Sequence, residues 1–349
     1  MAMVSSDNGQ LSLRMRILGR VMRALPTDIR RFYSIWLYVY DKIGGGGYDD
    51  EENIDAMWPR GLQPPVLLPR HHFKVRLEVR FWHERRAYFS GGYYQADLER
   101  LMEALIRPGD QYIDVGANIG LVTLLASRLI GPGGCGLAFE PNPQAFERLS
   151  YHLSLNSCEN IKSLPLAISD SESIANLVIP HDNMGLGSLA PMSDASKSTY
   201  TVSTAPVDSF IHQLDANKET FVKIDVEGYE CQVLGGMTQL LKFPELAVVA
   251  EVNDSMLRRA GHSREALHRI MSDAGFIGFR FDLKLDRWNR WLQLDPVDGP
   301  QDEAQYDVLF VRPDSKTFER RVKPLISRAS RSYADSAESA KMGMSHAGA

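Results

Sequence analysis

The chain has 349 residues and a composition typical of globular proteins, with 44% hydrophobic residues, 24% charged residues and a net charge of -5. A net negative charge gives no electrostatic reason to bind nucleic acid, so no nucleic-acid partner is expected. The three cysteines form no CxxC or Cys/His cluster, which argues against a disulfide framework or a zinc site and predicts a reducing, cytoplasmic setting.

The N-terminal region, residues 1–47, is predicted to be a basic amphipathic arm. Residues 11–43 carry seven basic side chains against two acidic ones, interleaved with apolar and aromatic residues. Such a stretch can pack on its own domain or make a peripheral contact with an anionic membrane surface. The chain starts with polar residues and has no run of about 18 apolar residues, so neither secretion nor a membrane span is expected.

Residues 48–92 are predicted to form an extension that contains a strand. From Phe73 to Phe81 apolar and charged residues alternate, and this period of two is typical of a half-buried strand. A helix is predicted next, over residues 94–106, because leucines and a methionine recur there at helical spacing. Pro108 and Gly109 end it.

From residue 93 to residue 313 strand-like and helix-like patterns alternate, which predicts an α/β domain with a mainly parallel sheet and helices on both faces. The predicted strands are residues 112–115, 137–139, 161–168, 220–226, 245–252, 276–282 and 306–311. The predicted helices are residues 119–129, 143–155, 227–241 and 263–274. Residues 181–198 are predicted to be a loop that covers the ligand, and residues 314–349 a disordered tail.

A glycine-rich turn, DVGANIG at residues 114–120, joins the first strand of this domain to its helix. Its glycines let the backbone approach a ligand closely, which is typical of a nucleotide site. Asn118 stands where the dinucleotide fingerprint GxGxxG has its second glycine, so the turn is poorly shaped for the pyrophosphate of NAD. An acidic turn with free backbone N–H groups suits the amino-acid end of S-adenosylmethionine better.

Glu140 follows the second strand, about 20 positions after the turn. A carboxylate in that place can accept hydrogen bonds from both ribose hydroxyls of an adenosine. The turn and this acid, in this order and spacing, together predict S-adenosylmethionine as the cofactor.

These motifs resemble the FkbM family of methyltransferases. The resemblance covers roughly residues 90–255 and runs through IDVGANIG (113–120), FEPNP (139–143), LPLAISD (164–170), GLGSL (185–189), VDSF (207–210) and VKIDVEGYE (222–230). It implies a Rossmann-like class I methyltransferase fold. It also implies methyl transfer from S-adenosylmethionine to a hydroxyl of a sugar, glycan or secondary metabolite.

The resemblance further implies which residues bind the cofactor. Four residues of the turn contact the methionine end, one acid holds the ribose, and two residues border the adenine. In that order they are Asp114, Gly116, Asn118, Gly120, Glu140, Ser169 and Asp170. A turn role for Asp170 stays open, because aspartate often bonds its own backbone or neighbours in turns.

Charged and apolar residues alternate from Lys223 to Glu227, at the end of a predicted strand. Open α/β folds bind ligands at this edge of the sheet. Burying charged side chains on an inner strand is costly without a purpose. We therefore predict Asp225 and Glu227 to be catalytic, with His181 in the covering loop as an alternative base, because a hydroxyl acceptor must lose its proton. Lys223 can instead pair with a neighbouring acid.

Two carboxylates this close are compatible with a divalent cation, and Glu251 at the end of the next strand can line the same crevice. The sequence shows no clear third ligand, so no metal site is predicted. Two other classes of function stay open. One is a noncatalytic protein that binds S-adenosylmethionine or a partner, and the other is an NAD-dependent oxidoreductase, which Asn118 disfavours. The oligomeric state is not predicted.

Overall fold

The computed structural model describes residues 13, 16–17, 20–21, 61–92, 95–180, 185, 187–190, 197–286, 289–301 and 303–326. Most of the predicted basic arm, much of the covering loop and residues 327–349 lie outside this set. Within the described residues, no helix is both long and apolar enough to cross a bilayer. Two compact units are present: an N-terminal unit, residues up to Ala96 together with Tyr151–Ser157, and a main unit that contains the rest.

The N-terminal unit contains the antiparallel strands β1 (Val66–Leu68) and β2 (Phe73–Val75), and helix α1 (Trp82–Ser90). The strand predicted over residues 73–81 is therefore too long, because its ladder ends at Val75. Beyond it the apolar side chains stay buried, but backbone N–H groups donate to side chains rather than to a strand. Arg76 N donates to His152 Nε2 at 3.0 Å, and Glu78 N donates to Glu84 Oε2 at 2.7 Å. Alternation thus predicts burial without predicting a partner strand.

The described residues of the main unit form eleven strands and helices of six to thirteen residues. In chain order the strands are β3 (Gln111–Val115), β4 (Cys135–Phe139), β5 (Ile161–Leu164), β6 (Ala167–Ile168), β7 (Ser173–Pro180), β8 (Lys197–Ala205), β9 (Thr220–Ile224), β10 (Leu246–Asn253), β11 (Ile277–Asp286), β12 (Asn289–Val297) and β13 (Gln305–Val311). The helices are α2 (Ala96–Leu105), α3 (Leu121–Ile130), α4 (Pro143–Leu155), α5 (Glu230–Gly235), α6 (Asp254–Arg259) and α7 (Arg264–Asp273). The last residues of α4 belong to the N-terminal unit.

Eight of these strands form one sheet in the order β12-β11-β13-β10-β9-β3-β4-β5. The five strands from β10 to β5 in this order are mutually parallel, and β13 runs antiparallel to both of its neighbours. Strands β6, β8 and β7 form a separate small sheet, so the strand predicted over residues 161–168 is divided between two sheets.

Helices cover both faces of the large sheet, as β3 shows. Ile113 points to one face, where it joins an apolar cluster with Val233 of α5 and Met271 of α7. Asp114 points to the other face, where it accepts a hydrogen bond from Thr123 of α3. Successive side chains of a strand alternate between faces, so the two helix layers lie on opposite sides. This confirms the predicted Rossmann-like α/β class, with a mainly parallel sheet and helices on both faces.

The structure corrects two predicted boundaries. The helix predicted over residues 227–241 is shorter, because only Glu230–Gly235 is α-helical and a 3-10 turn follows at Leu240–Lys242. The tail predicted to be disordered from residue 314 is folded over residues 314–326. Phe318 is fully buried, and the Arg321 guanidinium pairs with Asp110 and Glu219. A composition rich in serine and charged residues predicts disorder, and it does not reveal that one aromatic side chain in the segment is buried.

Candidate functional site

The turn after β3 has left-handed backbone at three positions. The φ angles of Gly116, Asn118 and Gly120 are +82°, +49° and +86°. Glycine adopts left-handed backbone at little cost in free energy, and asparagine tolerates it. A Cβ atom on Gly116 would lie 1.9 Å from the backbone oxygen of Asp225. The turn therefore lies directly against the segment that follows β9, and only glycine allows this approach.

Glu140, directly after β4, is bonded to this turn. Its Oε2 accepts from Asn118 N at 2.7 Å, and its Oε1 accepts from Asn142 N at 2.8 Å. Burial raises the pKa of Glu140 to about 7, against the opposing effect of these two N–H groups. Each carboxylate oxygen has about two acceptor sites. Glu140 can therefore hold the turn and still accept one further hydrogen bond on each oxygen, as a diol requires.

Asp114 lies behind the turn rather than on its surface. The side chain is fully buried, and Oδ2 accepts from Thr123 Oγ1 at 2.6 Å. Lys223 is its register partner on β9, with Nζ 3.9 Å from Asp114 Oδ1. Burial raises the pKa of Asp114, and the charge of Lys223 opposes this shift. The carboxylate thus connects β3, α3 and β9.

Ser169 and Asp170 follow β6. Ser169 is buried, and its N–H donates to Ala205 O at 3.1 Å. Asp170 is exposed, and its Oδ1 accepts from the hydroxyls of Ser169 at 3.3 Å and Ser171 at 2.9 Å. These bonds are typical of a turn residue, which is the alternative that the sequence left open.

The segment after β9 turns sharply instead of continuing the strand. Asp225 N donates to Val115 O at 3.0 Å, which ties the start of this turn to the end of β3. The buried carboxylate of Glu230 accepts from Gly228 N at 3.1 Å and so holds its far end. Lys223 Nζ lies 3.1 Å from Asp225 Oδ2, so Lys223 has the acidic neighbour expected of it. The side chain of Asp225 is 23% exposed and can meet a ligand.

Glu227 adopts left-handed backbone, with φ +55°. For a residue with a Cβ atom this costs on the order of 1–2 kcal/mol, and such residues cluster at functional sites. Ser188, in the GLGSL segment, donates its hydroxyl to Glu227 O at 2.8 Å and helps to fix this conformation. Burial raises the pKa of Glu227 to about 8, and the charge of Asp225 adds to the shift.

Two further acids reach the same place from neighbouring strands. Glu251 of β10 offers an oxygen that lies within 4.8 Å of oxygens of Asp225 and Glu227. Asp307 of β13 is the register partner of Glu251. Burial raises the pKa of Glu251 well above its usual value and that of Asp307 to about 7, with Asp225 the next cause for both. The sequence reasoning missed Asp307, whose signal is an acid inside an otherwise apolar strand.

The structure therefore brings the glycine turn, Glu140, Asp225 and Glu227 to the carboxyl ends of adjacent parallel strands, which is where open α/β sheets bind ligands. His181 lies outside the described residues, and its candidacy as a base stays a prediction.

Comparisons with known proteins show methyltransferases among the relatives of this chain. The family described as Methyltransferase FkbM domain matches residues 114–277. Hexuronic acid methyltransferase AglP of Haloferax volcanii is 28% identical over 155 residues, which are 44% of this chain. The chain spans 61% of the length of that relative.

Solved structures with likeness to this chain include two methyltransferases. Precorrin-6y C5,15-methyltransferase from Geobacter metallireducens has 14% identity and a TM-score of 0.36, covering 63% of this chain and 88% of that one. Methyltransferase FkbM from Methylobacillus flagellatus has 15% identity and a TM-score of 0.34, covering 65% of this chain and 54% of that one.

Proposed function

We propose that this chain, which carries a methyltransferase FkbM domain over residues 114–277, transfers a methyl group from S-adenosylmethionine to a hydroxyl of a sugar, glycan or secondary metabolite. The observation that carries the proposal is the contact between the glycine turn and the acidic segment. Gly116 lies against the backbone of Asp225, so a ligand on the turn is beside the carboxylates.

The residues present fit S-adenosylmethionine. Helix α3 begins directly after Gly120, and its first N–H groups and positive dipole end suit a carboxylate such as that of the methionine end. Glu140 has acceptor capacity left on both oxygens for the ribose hydroxyls. When bound, the cofactor supplies an electrophilic methyl group on a sulfonium.

The acids supply what the acceptor needs. In an in-line displacement the oxygen–carbon bond forms while the carbon–sulfur bond breaks, and the hydroxyl proton passes to a base. Asp225 is the base that we favour, because its carboxylate is accessible and one oxygen is oriented by Lys223. Glu227 is the alternative within the described residues.

A sugar acceptor is supported by the relative that is named for methylating hexuronic acid. The test is to incubate the purified chain with S-adenosylmethionine and a panel of acceptors, hexuronic acids and matched neutral hexoses among them. We expect S-adenosylhomocysteine and a product heavier by one methyl group, detected by mass spectrometry. Cofactor binding without turnover on any acceptor would favour the noncatalytic alternative, and tight NAD binding would favour the oxidoreductase.

Replacing Glu140 with glutamine is expected to weaken S-adenosylmethionine binding by about tenfold. The variant keeps the shape, but its amide NH2 can accept a hydrogen bond neither from the ribose hydroxyl nor from the backbone N–H that donates to the replaced oxygen. Each charge-assisted bond contributes roughly 1.5 kcal/mol or more. Titration calorimetry measures the affinity. Glu147→Gln, an exposed change on the neighbouring helix α4, serves as the matched control and should bind like wild type. Unchanged affinity in Glu140→Gln would remove Glu140 from the ribose site.

A further inference from the structure

The acids beside the glycine turn form a cluster in which one described lysine, Lys223, pairs with one of the three carboxylates. Asp225, Glu227 and Glu251 each place a carboxylate oxygen within 4.8 Å of the others. The charge of Lys223 is shared between Asp225 of the cluster and Asp114, which lies outside it. The ion pairs among the described residues give neither Glu227 nor Glu251 a basic partner within 4.0 Å.

We propose that Asp225, Glu227 and Glu251 bind a divalent cation that prefers oxygen ligands, of the Mg²⁺, Mn²⁺ and Ca²⁺ class. Two of these carboxylates are also the candidate bases of the proposed methyl transfer, but cation binding requires neither the cofactor nor an acceptor and can be measured without them. The sequence predicted no metal for want of a third ligand, and the register of β10 against β9 supplies it.

The spacing of the three oxygens suits such an ion. Two oxygens on opposite sides of Ca²⁺ are about 4.6–5.2 Å apart, and on opposite sides of Mg²⁺ about 4.0–4.2 Å apart, which is twice the metal–oxygen distance. Oxygens that all lie within 4.8 Å of one another can therefore coordinate one ion after small side-chain movements. The set contains no histidine or cysteine, so zinc and the softer metals are disfavoured.

An independent observation comes from Glu251 itself. The residue is only 7% exposed, and its Oε2 is buried without a hydrogen-bond partner among the described residues. Gln305 Nε2 donates to the other oxygen, Oε1, at 2.6 Å and fixes the carboxyl plane. A buried carboxylate oxygen without a partner is costly to leave unsatisfied, and a cation satisfies it. Carboxylates that coordinate metal ions are typically oriented by a hydrogen bond to another group, as Gln305 orients Glu251.

The proposal also accounts for the strained turn. Glu227 has left-handed backbone that Ser188 and the Gly228–Glu230 contacts support, although a glycine would adopt it without cost. This conformation brings the Glu227 carboxylate back toward Asp225 and Glu251. Three ligands leave about three positions of a six-coordinate ion for water or an incoming oxygen.

The experiment measures cation binding to the purified chain alone. The protein is treated with chelator, exchanged into metal-free buffer and titrated with Mn²⁺, whose free concentration is followed by electron paramagnetic resonance. Thermal unfolding is recorded in parallel with Mg²⁺, Ca²⁺ or Mn²⁺. We expect one saturable Mn²⁺ site and a rise in Tm with at least one of these ions, because a ligand that binds only the native state stabilises it.

Glu251→Gln is expected to weaken Mn²⁺ binding by at least about tenfold, since mutating even the residues that hydrogen-bond metal ligands typically lowers affinity by ~10–100-fold. The variant retains an oxygen for Gln305, and circular dichroism checks that it folds. Glu227→Gln, on the turn, provides a second variant with the same expectation. Asp282→Asn removes an exposed acid that pairs with Lys284 and should bind Mn²⁺ like wild type.

A chain without saturable Mn²⁺ binding, or with equal affinity in Glu251→Gln, would overturn the cation site. Because neither measurement contains S-adenosylmethionine or an acceptor, such a result leaves methyl transfer standing. Conversely, a chain that binds Mn²⁺ as expected but methylates no acceptor would retain the cation site and lose the proposed activity.

Discussion

Replacing Asp225 with asparagine is expected to cut the turnover of methyl transfer by roughly 10²-fold or more, the usual scale for loss of a general base. The amide keeps the shape and an oxygen for Lys223, which donates to Asp225 Oδ2 at 3.1 Å, but it cannot take up a proton. Cofactor affinity should stay within a few-fold, because the atoms of Asp225 that lie against Gly116 belong to its backbone, which the substitution leaves unchanged. Steady-state rates and calorimetry measure the two quantities.

Comparing the turnover of Glu227→Gln with that of Asp225→Asn shows which of the two residues is the base. If Asp225 is the base, its variant shows the larger loss of turnover. Near-normal turnover in Asp225→Asn together with loss in Glu227→Gln would transfer the role to Glu227 and leave Asp225 as a structural residue.

Gly116→Ala is expected to abolish measurable cofactor binding and to lower the Tm. The new Cβ would lie 1.9 Å from the backbone oxygen of Asp225, a distance at which one of the two segments must move. The substitution also forces alanine into φ +82°, which costs on the order of 1–2 kcal/mol in itself. The displacement separates the cofactor turn from the acids, so both binding and turnover are lost. Calorimetry and thermal unfolding test this.

Gly109→Ala separates backbone strain from steric clash. Gly109 has φ +94°, close to that of Gly116, but a Cβ atom there meets no heavy atom within 4 Å. This control should lose only the strain contribution to stability and keep its affinity for S-adenosylmethionine. Equal affinity losses in the two variants would show that Gly116 acts through strain rather than through its approach to Asp225.

The cofactor half of the site could be predicted from the sequence because its parts are close along the chain. A strand, a glycine turn and a helix are read from local patterns, and one further strand brings Glu140 to the turn. The structure joins them by the bond from Asn118 N to Glu140 Oε2, at 2.7 Å. The burial of Asp114 behind the turn was not predictable in this way, because it depends on Thr123 and on the pairing with Lys223.

The acid cluster could not be predicted from local sequence patterns, because it depends on which strands are neighbours in the sheet. Asp225 and Glu251 meet because β9 and β10 are neighbours, and Asp307 joins Glu251 because β13 inserts antiparallel beside β10. Strand order is set by packing between distant segments, whereas periodicity reports only which face of each strand is buried. The same limit explains the segment after Phe73, whose alternation predicted burial correctly and its strand length wrongly.

The discontinuity of the N-terminal unit has a consequence for synthesis on the ribosome. The backbone in and directly after β2 has partners at the end of α4. Lys74 N donates to the Asn156 side-chain oxygen, Lys74 O accepts from the Asn156 side-chain nitrogen, and Arg76 N donates to His152. These partners lie 82 and 76 residues further along the chain. At about 5–20 residues per second, they are made roughly 4–16 s after the segment that needs them. During that interval the backbone groups of Lys74 and Arg76 lack their native partners, so the N-terminal unit can complete its hydrogen bonds only after α4 has been made.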